Sequence, residues 1–188
     1  MNSISTGKGD EGYTNLFSGN AQVSKNSPIC QVLGELDELN SFLGMCRAKS
    51  KDCEERLGLY LEDNRMSSVI FDIQNDIFIT QAEFAGADKK MSAEKTKRME
   101  SLINETENLV PKKNSFIISG EDELSSYFDI ARAVCRRAER SAVVYLKEEK
   151  MDETSQTLRY LNRLSDFLYC ISRLIVFKLG EQENNPEY

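Results

Sequence analysis

Proline occurs only three times in this chain of 188 residues, at Pro28, Pro111 and Pro186. The two long intervals between them carry little glycine, and such intervals favour helices because proline breaks a helix interior. Glycine clusters instead near the N-terminus, where four of the ten glycines fall within the first nineteen residues. We therefore expect a turn-rich N-terminal segment followed by long helices.

Apolar residues recur at helical spacing in five segments, which predicts five long helices. The first has Ser27 as N-cap and Pro28 at the first helical position, and it runs to about Lys49. The others are expected over about 69–85, 92–109, 122–148 and 153–180. Short connections between long helices predict an all-α fold, a five-helix antiparallel bundle.

The remaining segments are expected to connect or flank these helices. Residues 6–26 are small and polar, which indicates an ordered loop or a short hairpin. Residues 50–64 fit either a continued helix or a connecting turn around Asp63 and Asn64, and residues 112–121 form a loop. We predict a single domain, with an N-terminal loop over 1–26, the bundle over 27–180 and a frayed polar tail over 181–188.

The chain contains no histidine, and its formal net charge at pH 7 is −7. Without histidine there is no Ser-His-Asp or Cys-His catalysis, no His-ligated zinc or iron and no imidazole acid–base chemistry. The acidic balance argues against general nucleic-acid binding, which needs a basic face that releases counterions. These two features exclude histidine-dependent enzymes and general nucleic-acid-binding proteins.

Five cysteines, an odd number, form no C-x-x-C pair. The first residues show no secretory signal, and no apolar run approaches the roughly 20 residues of a membrane span. Reduced thiols, a cytoplasmic location and no membrane contact are therefore expected. Cys46, Cys135 and Cys170 lie among apolar residues, where cysteine is usually a small buried hydrophobe rather than a nucleophile.

Glycines and basic donors combine in the segment from Thr6 to Lys25. Gly7, Gly9 and Gly12 satisfy G-x-G-x-x-G, but a dinucleotide-binding unit would need a preceding strand and a following helix, and no Gly-Lys-Ser/Thr completes a P-loop. Glycine still lets backbone N–H groups converge on an anion, with threonine and lysine as further donors. An anion-binding loop and a solvated tail both remain open at this point.

Three arginines, Arg132, Arg136 and Arg140, stand at four-residue spacing and share one helix face. Such guanidinium groups repel one another unless an anion or carboxylates lie opposite, and they match phosphate oxygens in bidentate geometry. Glu139 is close enough along the helix to orient Arg136. In an acidic protein this arginine stripe indicates a polyphosphate site, and a solvated face with intrahelical pairs is the alternative.

Two polar groups interrupt apolar helix faces. Asn162 and Asp166 stand at i, i+4, which fits either a satisfied buried network or part of a site. Asp37 and Asn40 stand at i, i+3 in the first helix. They fit an acid–base pair or an ion-pair partner for the arginines, and the second is favoured because the arginines need compensation.

These segments, in this order, resemble the PduO-type ATP:cob(I)alamin (corrinoid) adenosyltransferases. The family loop T-G-x-G-D-x-G-x-T, which ends in a lysine, is similar to Thr6–Lys25. The family motifs G-x-x-D-E-L-N-x-x-x-G, I-Q-x-x-L-F, A-R-x-V-C-R-R-A-E-R and Y-L-N-R-L-S-D are similar to Gly34–Gly44, Ile73–Phe78, Ala131–Arg140 and Tyr160–Asp166. The similarity extends from Thr6 to about Gly180.

The resemblance implies a cobalamin adenosyltransferase-like bundle that forms a homotrimer, with ATP between the N-terminal loop of one subunit and the arginine helix of its neighbour. Arg132, Arg136 and Phe116 would be catalytic. By position, the ATP-binding residues would be Thr6, Gly7, Gly9, Asp10, Gly12, Thr14, Lys25, Arg132, Arg136, Glu139 and Asn162. Asp37 would form an intersubunit salt bridge with Arg132, and Phe116 would bind the corrinoid and displace its lower axial ligand. The alternative for Phe116 is a core anchor for its loop, and the alternative to a frayed tail over 181–188 is a tail that orders over a bound corrin.

The implied reaction transfers the 5′-deoxyadenosyl group of ATP to the Co(I) of reduced cobalamin and gives adenosylcobalamin and triphosphate. Cobalt is the nucleophile, so the protein would stabilise the leaving triphosphate, together with Mg²⁺ held by the ATP phosphates rather than by a dedicated protein cluster. A cob(II)alamin reductase and an adenosylcobalamin-dependent enzyme are the implied protein partners. The alternative is a non-catalytic trimer that binds ATP or adenosylcobalamin as an escort or regulator.

The chain departs from the family pattern near the corrin loop. Ser119-Gly120-Glu121 stands where the family usually has P-G-G, and Asp129 stands where it often has histidine. These departures concern corrin contacts, whereas the residues of the implied ATP site match.

Overall fold

The computed structural model describes Ser5 and residues 7–17, 22–150 and 155–187. Five long helices, one four-residue helix and two small hairpins lie within these ranges. In chain order the elements are β1 (Tyr13–Asn15), β2 (Gln22–Ser24), α1 (Pro28–Ser50), α2 (Glu54–Leu57), β3 (Tyr60–Leu61), β4 (Asn64–Arg65), α3 (Met66–Phe84), α4 (Ala93–Leu109), α5 (Glu123–Glu148) and α6 (Gln156–Leu179). The predicted all-α fold of five long helices is confirmed.

The five long helices share one hydrophobic core. α5 packs against both α1 and α6, α1 also packs against α3, and α6 also packs against α4. The fully buried side chains at these contacts include Leu36, Leu39, Ile70, Ile77, Phe128 and Leu161. Each contributes about 1.5–3 kcal/mol through burial, so α5 with its arginine stripe is held on two flanks. None of the helices in the described ranges is long and apolar enough to cross a membrane.

Three of the long helices begin with a side-chain cap. The side chains of Ser92, Asp122 and Ser155 each accept a hydrogen bond from a backbone N–H in the first turn of α4, α5 and α6. Ser27 is the N-cap of α1 and Pro28 its first residue, as predicted, although the Ser27 side chain makes no capping hydrogen bond. Pro28 presets the first turn and has no N–H to satisfy, which lets α1 start without that hydrogen bond.

Residues 50–64 form the short helix α2 and the hairpin β3–β4 rather than a continued helix. The chain reverses at Glu62 and Asp63, whose φ angles are 50° and 59°. α3 follows directly, and the carboxylate of Glu54 caps it. The backbone N–H of Ser67 donates to Oε2 of Glu54 (2.9 Å), and the Ser67 hydroxyl donates to Oε1 (3.0 Å). This segment therefore fixes the start of α3.

All five cysteines are free thiols, and Cys46, Cys135 and Cys170 are buried as predicted. Burial raises the pKa of the Cys46 thiol to about 12 and that of the Cys170 thiol to about 11. Thiols with such pKa values stay protonated at neutral pH, and a buried thiol is a poor nucleophile. These cysteines therefore act as apolar core residues.

The C-terminal tail lies along the loop between α4 and α5, so the predicted fraying is wrong for residues 181–187. α6 ends at Gly180 in the left-handed conformation (φ 75°), where the helix is capped and terminates. Beyond it, Nε of Arg173 lies 2.7 Å from Oε1 of Glu183. The N–H of Ile118 donates to the carbonyl of Asn184 (2.9 Å). The tail is ordered because these partners come from α6 and from the loop.

Candidate active site

The N-terminal loop begins with two consecutive turns. The N–H of Asp10 donates to the carbonyl of Gly7, and the N–H of Gly12 donates to the carbonyl of Gly9, each at 3.2 Å. Gly12 has a φ of 82°, a backbone conformation that favours glycine. The prediction of an ordered loop or short hairpin is confirmed for the described residues, whereas Thr6 lies outside them.

A hairpin and a lysine close the loop. β1 pairs antiparallel with β2, with Thr14 opposite Val23, and the N–H of Lys25 donates to the carbonyl of Gly12 (2.9 Å). The Lys25 ammonium donates to the carbonyl of Gly9 (2.7 Å). A Cβ on Gly9 would lie 2.8 Å from that ammonium nitrogen. Glycine at this position therefore permits the lysine to fold back over the turn.

The arginine stripe on α5 presents cations with little local compensation. Arg132 is half-buried, and its Nε lies 3.5 Å from Oδ1 of Asp129 but makes no hydrogen bond within the described part of the chain. Arg136 and Arg140 are exposed. No carboxylate of the described residues lies within ion-pair distance of Arg136. An uncompensated guanidinium next to an unused N–H donor suits a polyanion.

A fourth arginine, which sequence reasoning missed, joins α5 to α1. Arg137 pairs with the Glu38 carboxylate, and its Nε lies 3.6 Å from Oε1 of Glu35. The i, i+3 spacing of the two glutamates could have indicated this contact, because it places both on one face of α1. The carboxylates that α1 offers to α5 within one chain are therefore Glu35 and Glu38.

Asp37 does not pair with Arg132 within one chain. It is exposed on α1, and its carbonyl accepts a hydrogen bond from the Ser41 hydroxyl (3.0 Å). No cation in the described ranges lies within ion-pair distance of the Asp37 carboxylate. The carboxylate beside Arg132 in its own chain is that of Asp129, one helical turn earlier. The intersubunit salt bridge assigned to Asp37 stays a prediction.

Glu139 and Asn162, predicted from two different motifs, are in contact. The Asn162 amide donates to Oε1 of Glu139 (3.2 Å) and accepts from Nη1 of Arg163 (2.9 Å). One turn further along α6, burial raises the pKa of Asp166, while Arg163 and Arg136 lower it. α5 and α6 thus present a carboxylate and an amide next to the arginine stripe.

Tyr160, from the same motif as Asn162, is structural. Its hydroxyl is buried and donates to Oδ2 of Asp76 (2.9 Å), and Oδ1 of Asp76 accepts from Lys95. Burial raises the pKa of Tyr160 well above its ordinary value, and the neighbouring Asp76 raises it further. The phenol therefore stays protonated and links α6 to α3.

Phe116 stands out from the loop between α4 and α5, with 77% of its surface exposed. The two isoleucines that follow it line a groove that reaches Arg132 on α5. Other residues of the lining include Asp129 of α5, Tyr169 and Arg173 of α6, and Glu183 of the tail. The loop that carries the exposed ring and the half-buried arginine therefore open onto the same groove.

An uncovered surface lies across α1 and α3. Phe71 and Phe78 are 47% and 60% exposed, and Gln74 lies between them on α3. The Gln74 amide donates to the backbone carbonyl of Asn40 (3.1 Å). The side-chain oxygens of Gln74 and Asn40 are buried and accept no hydrogen bond from the described residues. Buried acceptors beside exposed rings are typical of a surface that another chain covers.

The described residues form no metal site of three or more Cys, Asp or Glu side chains. Glu139 and Asn162 offer one carboxylate and one amide, a donor set that suits Mg²⁺ only if phosphates and water supply its other ligands. No hydrogen bond or ion pair among the described residues joins the N-terminal loop to α5. Among the described residues, the predicted ATP-binding residues thus form two groups, one in the N-terminal loop and one on α5 and α6, with no hydrogen bond between them.

A family model described as cobalamin adenosyltransferase matches residues 4–175. The chain is 33% identical over 175 residues to the corrinoid adenosyltransferase of Bacillus subtilis (strain 168), which covers 93% of this chain and 87% of that protein. It is 34% identical over 177 residues to the corrinoid adenosyltransferase PduO of Citrobacter freundii, which covers 90% of this chain. The chain spans about half the length of that relative, 49%.

The fold is also similar to that of a solved structure. This is a variant of a PduO-type ATP:corrinoid adenosyltransferase from Lactobacillus reuteri, complexed with cobalamin and ATP. The TM-score is 0.84 at 27% sequence identity, and the match covers 99% of this chain and 100% of the other.

Proposed function

The chain belongs to the cobalamin adenosyltransferase family, and from this premise we propose how its residues transfer the 5′-deoxyadenosyl group of ATP to the cobalt of reduced cobalamin. The observation that carries the proposal is the groove shared by the loop of Phe116 and by Arg132. The loop that lines this groove carries the exposed ring of Phe116 for a corrin, and the groove itself holds the Arg132 cation for a polyphosphate. The two substrates can therefore meet at this position.

The chemistry needs no acid, base or nucleophile from the protein. Co(I) attacks C5′ of ATP, a cobalt–carbon bond forms, and the electron pair of the broken C5′–O bond leaves with the triphosphate. The lack of histidine in the chain is compatible with this reaction. The tasks left to the protein are to hold C5′ in line with cobalt and to stabilise charge on the leaving group.

Arg132, Arg136 and Lys25 bind the triphosphate. Arg136 is exposed, and Lys25 rests on the carbonyl of Gly9, a neutral acceptor that does not cancel its charge. The turns at Gly7, Gly9, Asp10 and Gly12, with Thr6 and Thr14, wrap the nucleotide through backbone N–H and hydroxyl groups. Removing one such donor typically costs about 10²–10³ in rate.

Glu139 and Asn162 orient the nucleotide and its Mg²⁺. Their mutual hydrogen bond (3.2 Å) fixes both side chains beside the arginine stripe. When bound, Mg²⁺ would add positive charge at the leaving triphosphate. It would keep phosphate oxygens and water as most of its ligands.

Phe116 prepares the corrin. Its ring is exposed and reaches beyond the loop, so it can lie against the lower face of the macrocycle. An apolar ring there excludes water and the lower axial ligand, which favours four-coordinate cobalt and its reduction to Co(I). Phe116 is therefore the corrinoid-binding residue of the proposed site.

The active site is completed by a second copy of the chain in a homotrimer. The N-terminal loop and α5 make no hydrogen bond to each other among the described residues, and Asp37 is exposed without an ion-pair partner in those ranges. The uncovered surface on α1 and α3 begins one turn from Asp37. We assign the partner subunit's Arg132 to the Asp37 carboxylate, with ATP between the two subunits.

The cellular setting follows from the chemistry. A cob(II)alamin reductase supplies the electron that produces Co(I), and an adenosylcobalamin-dependent enzyme consumes the product. The five free thiols fit the reducing cytoplasm, where we place the protein.

The activity is tested with ATP, Mg²⁺ and chemically reduced cobalamin, by following the visible spectrum of the corrin. The wild-type chain should convert it to adenosylcobalamin, and Arg136→Ala should lower kcat by at least about 100-fold. Arg65→Ala, which removes only a surface pair with Glu55, is the matched control and should remain active. Full activity of Arg136→Ala would refute the assignment.

The shared site is tested by mixing two inactive variants. Lys25→Ala and Arg136→Ala should each be inactive alone. If the site combines the loop of one subunit with α5 of another, mixed trimers formed after subunit exchange contain some intact sites and regain part of the activity. A mixture that stays inactive after exchange would contradict the intersubunit arrangement.

A further inference from the structure

The tail residue Glu183 occupies an unusually protected ion pair. Arg173 binds it with both arms of its guanidinium, Nε to Oε1 at 2.7 Å and Nη2 to Oε2 at 3.1 Å. The two side chains are only 15% and 14% exposed. In no other ion pair of the described residues are both side chains less than one fifth exposed. A pair taken out of water is favourable only when its geometry is well fixed. Arg173 and Glu183 therefore form a rigid anchor.

The same anchor holds the beginning of the loop between α4 and α5. Nη2 of Arg173 also donates to the carbonyl of Pro111 (2.9 Å). The Lys113 ammonium donates to the backbone carbonyl of Glu183 (2.9 Å) and lies 3.5 Å from its carboxylate. Arg173 and Glu183 together thus tie the tail to α6 and to the start of the loop, at Pro111 and at Lys113.

Beyond the anchor, the tail binds the loop on both sides of Phe116. The Ser115 hydroxyl donates to the side-chain oxygen of Asn185 (3.2 Å). The Ile118 N–H donates to the carbonyl of Asn184 (2.9 Å), and the Asn184 amide donates to Glu121 (2.8 Å). The loop has no helix or strand of its own here, so these bonds satisfy polar groups that it cannot satisfy itself.

These contacts hold the loop on both sides of the exposed ring. The side chain of Phe116 is exposed to solvent, whereas Ser115 and Ile118 are bonded to the tail. A loop held only at its ends would let an exposed ring move toward apolar contacts. The tail therefore holds the part of the loop that carries the ring.

We propose that the tail segment 181–187, anchored by Glu183 on Arg173, positions Phe116 for the corrin. Glu183 and Arg173 are positioning residues that act through the loop and not on the ATP phosphates. The inference rests on the proposed function, because it assigns a role in the corrin half of that site. It predicts that a substitution in the anchor weakens the handling of cobalamin and leaves the affinity for ATP unchanged.

The test compares Glu183→Gln with the wild type in three measurements. These are kcat and KM for the corrinoid, the affinity for ATP, and the fraction of bound cob(II)alamin that becomes four-coordinate with ATP, read by electron paramagnetic resonance. We expect the KM for the corrinoid to rise about tenfold and the four-coordinate fraction to fall severalfold, with ATP affinity within about twofold. Arg173→Lys, which keeps the charge but loses the fork, should act in the same direction.

Two controls separate this role from a general structural one. Glu187→Gln removes an exposed glutamate from the same tail and should leave all three measurements unchanged. In a Phe116→Ala background, Glu183→Gln should add little further loss, because the residue through which it acts is gone. Circular dichroism verifies that the helices persist.

Unchanged corrin parameters in Glu183→Gln would overturn the inference, and so would an equal loss of ATP affinity. A full additive loss in the Phe116→Ala background would overturn it as well. Failure of the proposed function looks different, because the wild-type chain itself would then form no adenosylcobalamin.

Discussion

At the scale of single residues, the absence of a side chain at Gly9 determines the position of the Lys25 ammonium. The Lys25 ammonium lies on the Gly9 carbonyl at 2.7 Å, in space that a side chain on Gly9 would occupy. The atom in conflict is the far end of a flexible side chain, so the lysine can move away at little cost to the fold. A side chain at Gly9 would therefore change the position of the Lys25 charge rather than the stability of the fold.

We therefore expect Gly9→Ala to raise the KM for ATP about tenfold while the free energy of unfolding changes by less than about 1 kcal/mol. Steady-state kinetics and urea unfolding measure the two effects. The matched control is Gly34→Ala in α1, where a Cβ meets no atom within 4 Å and the helix should gain up to about 1 kcal/mol. An unchanged KM in Gly9→Ala would show that Lys25 does not need this position.

Some pairings between residues could be predicted from the sequence and others could not. Glu139 is predicted beside the arginine stripe and Asn162 as part of a polar group on another helix, and the bundle brings the Asn162 amide nitrogen to 3.2 Å from Oε1 of Glu139. Arg173 and Glu183 carry no such signal, because each looks like an ordinary charge at a helix end or in a polar tail. Their importance depends on burial, which only the packed structure determines.

At the scale of elements, the start of α3 depends on a residue outside the helix. Helical spacing predicted a start near residue 69, whereas the helix begins at Met66. The difference arises because the Glu54 carboxylate, 2% exposed, satisfies the first turn from α2. A cap supplied from twelve residues upstream of α3 leaves no local sequence signal. In contrast, Pro28, Pro111 and the helical spacing predicted both ends of α1, α4 and α5 to within one residue.

Glu54→Gln is expected to lower the free energy of unfolding by about 1–3 kcal/mol, because a charge-assisted acceptor is replaced by a neutral amide. Urea unfolding followed by circular dichroism measures the change. Glu55→Gln at the next position is the matched control. Glu55 is exposed and pairs with Arg65 at the surface, so its loss should cost less than about 1 kcal/mol. Equal effects of the two substitutions would contradict the capping role.

At the scale of the whole molecule, the tail and the loop form a contact that acid should release. Burial raises the pKa of Glu183, but the bonds and charges of Arg173 and Lys113 together lower it by more. The pKa of Glu183 therefore lies below its ordinary value of 4.5. A carboxyl whose pKa is lowered by folding stabilises the docked tail fully above 4.5. That stabilisation is lost as the pH falls through the lower, folded value.

The amide resonance of Ile118, which donates to the tail, should therefore keep its position above pH 4.5 and shift at lower pH, while the helical circular dichroism persists. Nuclear magnetic resonance during an acid titration measures both the shift and its midpoint. Glu183→Gln should show the shifted resonance already at neutral pH. A resonance in Glu183→Gln that matches the wild type at neutral pH would contradict the anchor.

At the scale of the whole molecule, two charged residues of the proposed site face away from the bundle. The bundle orients Arg136 and Asp37 outward, where the described residues offer them no ion-pair partner. Helical spacing predicts that each is on a helix face, but not what covers that face. The arrangement between subunits depends on surfaces that meet only in the assembly, which the mixing experiment addresses.

The continuity of α5 has a consequence for insertions and deletions. Asp122 caps this helix directly after the loop of Phe116, and Arg132 and Arg136 follow on the same continuous helix. One residue inserted between Asp122 and Arg132 would rotate both arginines by about 100° and shift them by about 1.5 Å relative to the loop. Length variation here would separate the corrin half of the groove from its phosphate half, whereas the β3–β4 hairpin can change length without moving either. Among natural variants of this chain, gaps should therefore collect in the hairpin and be absent from the first half of α5.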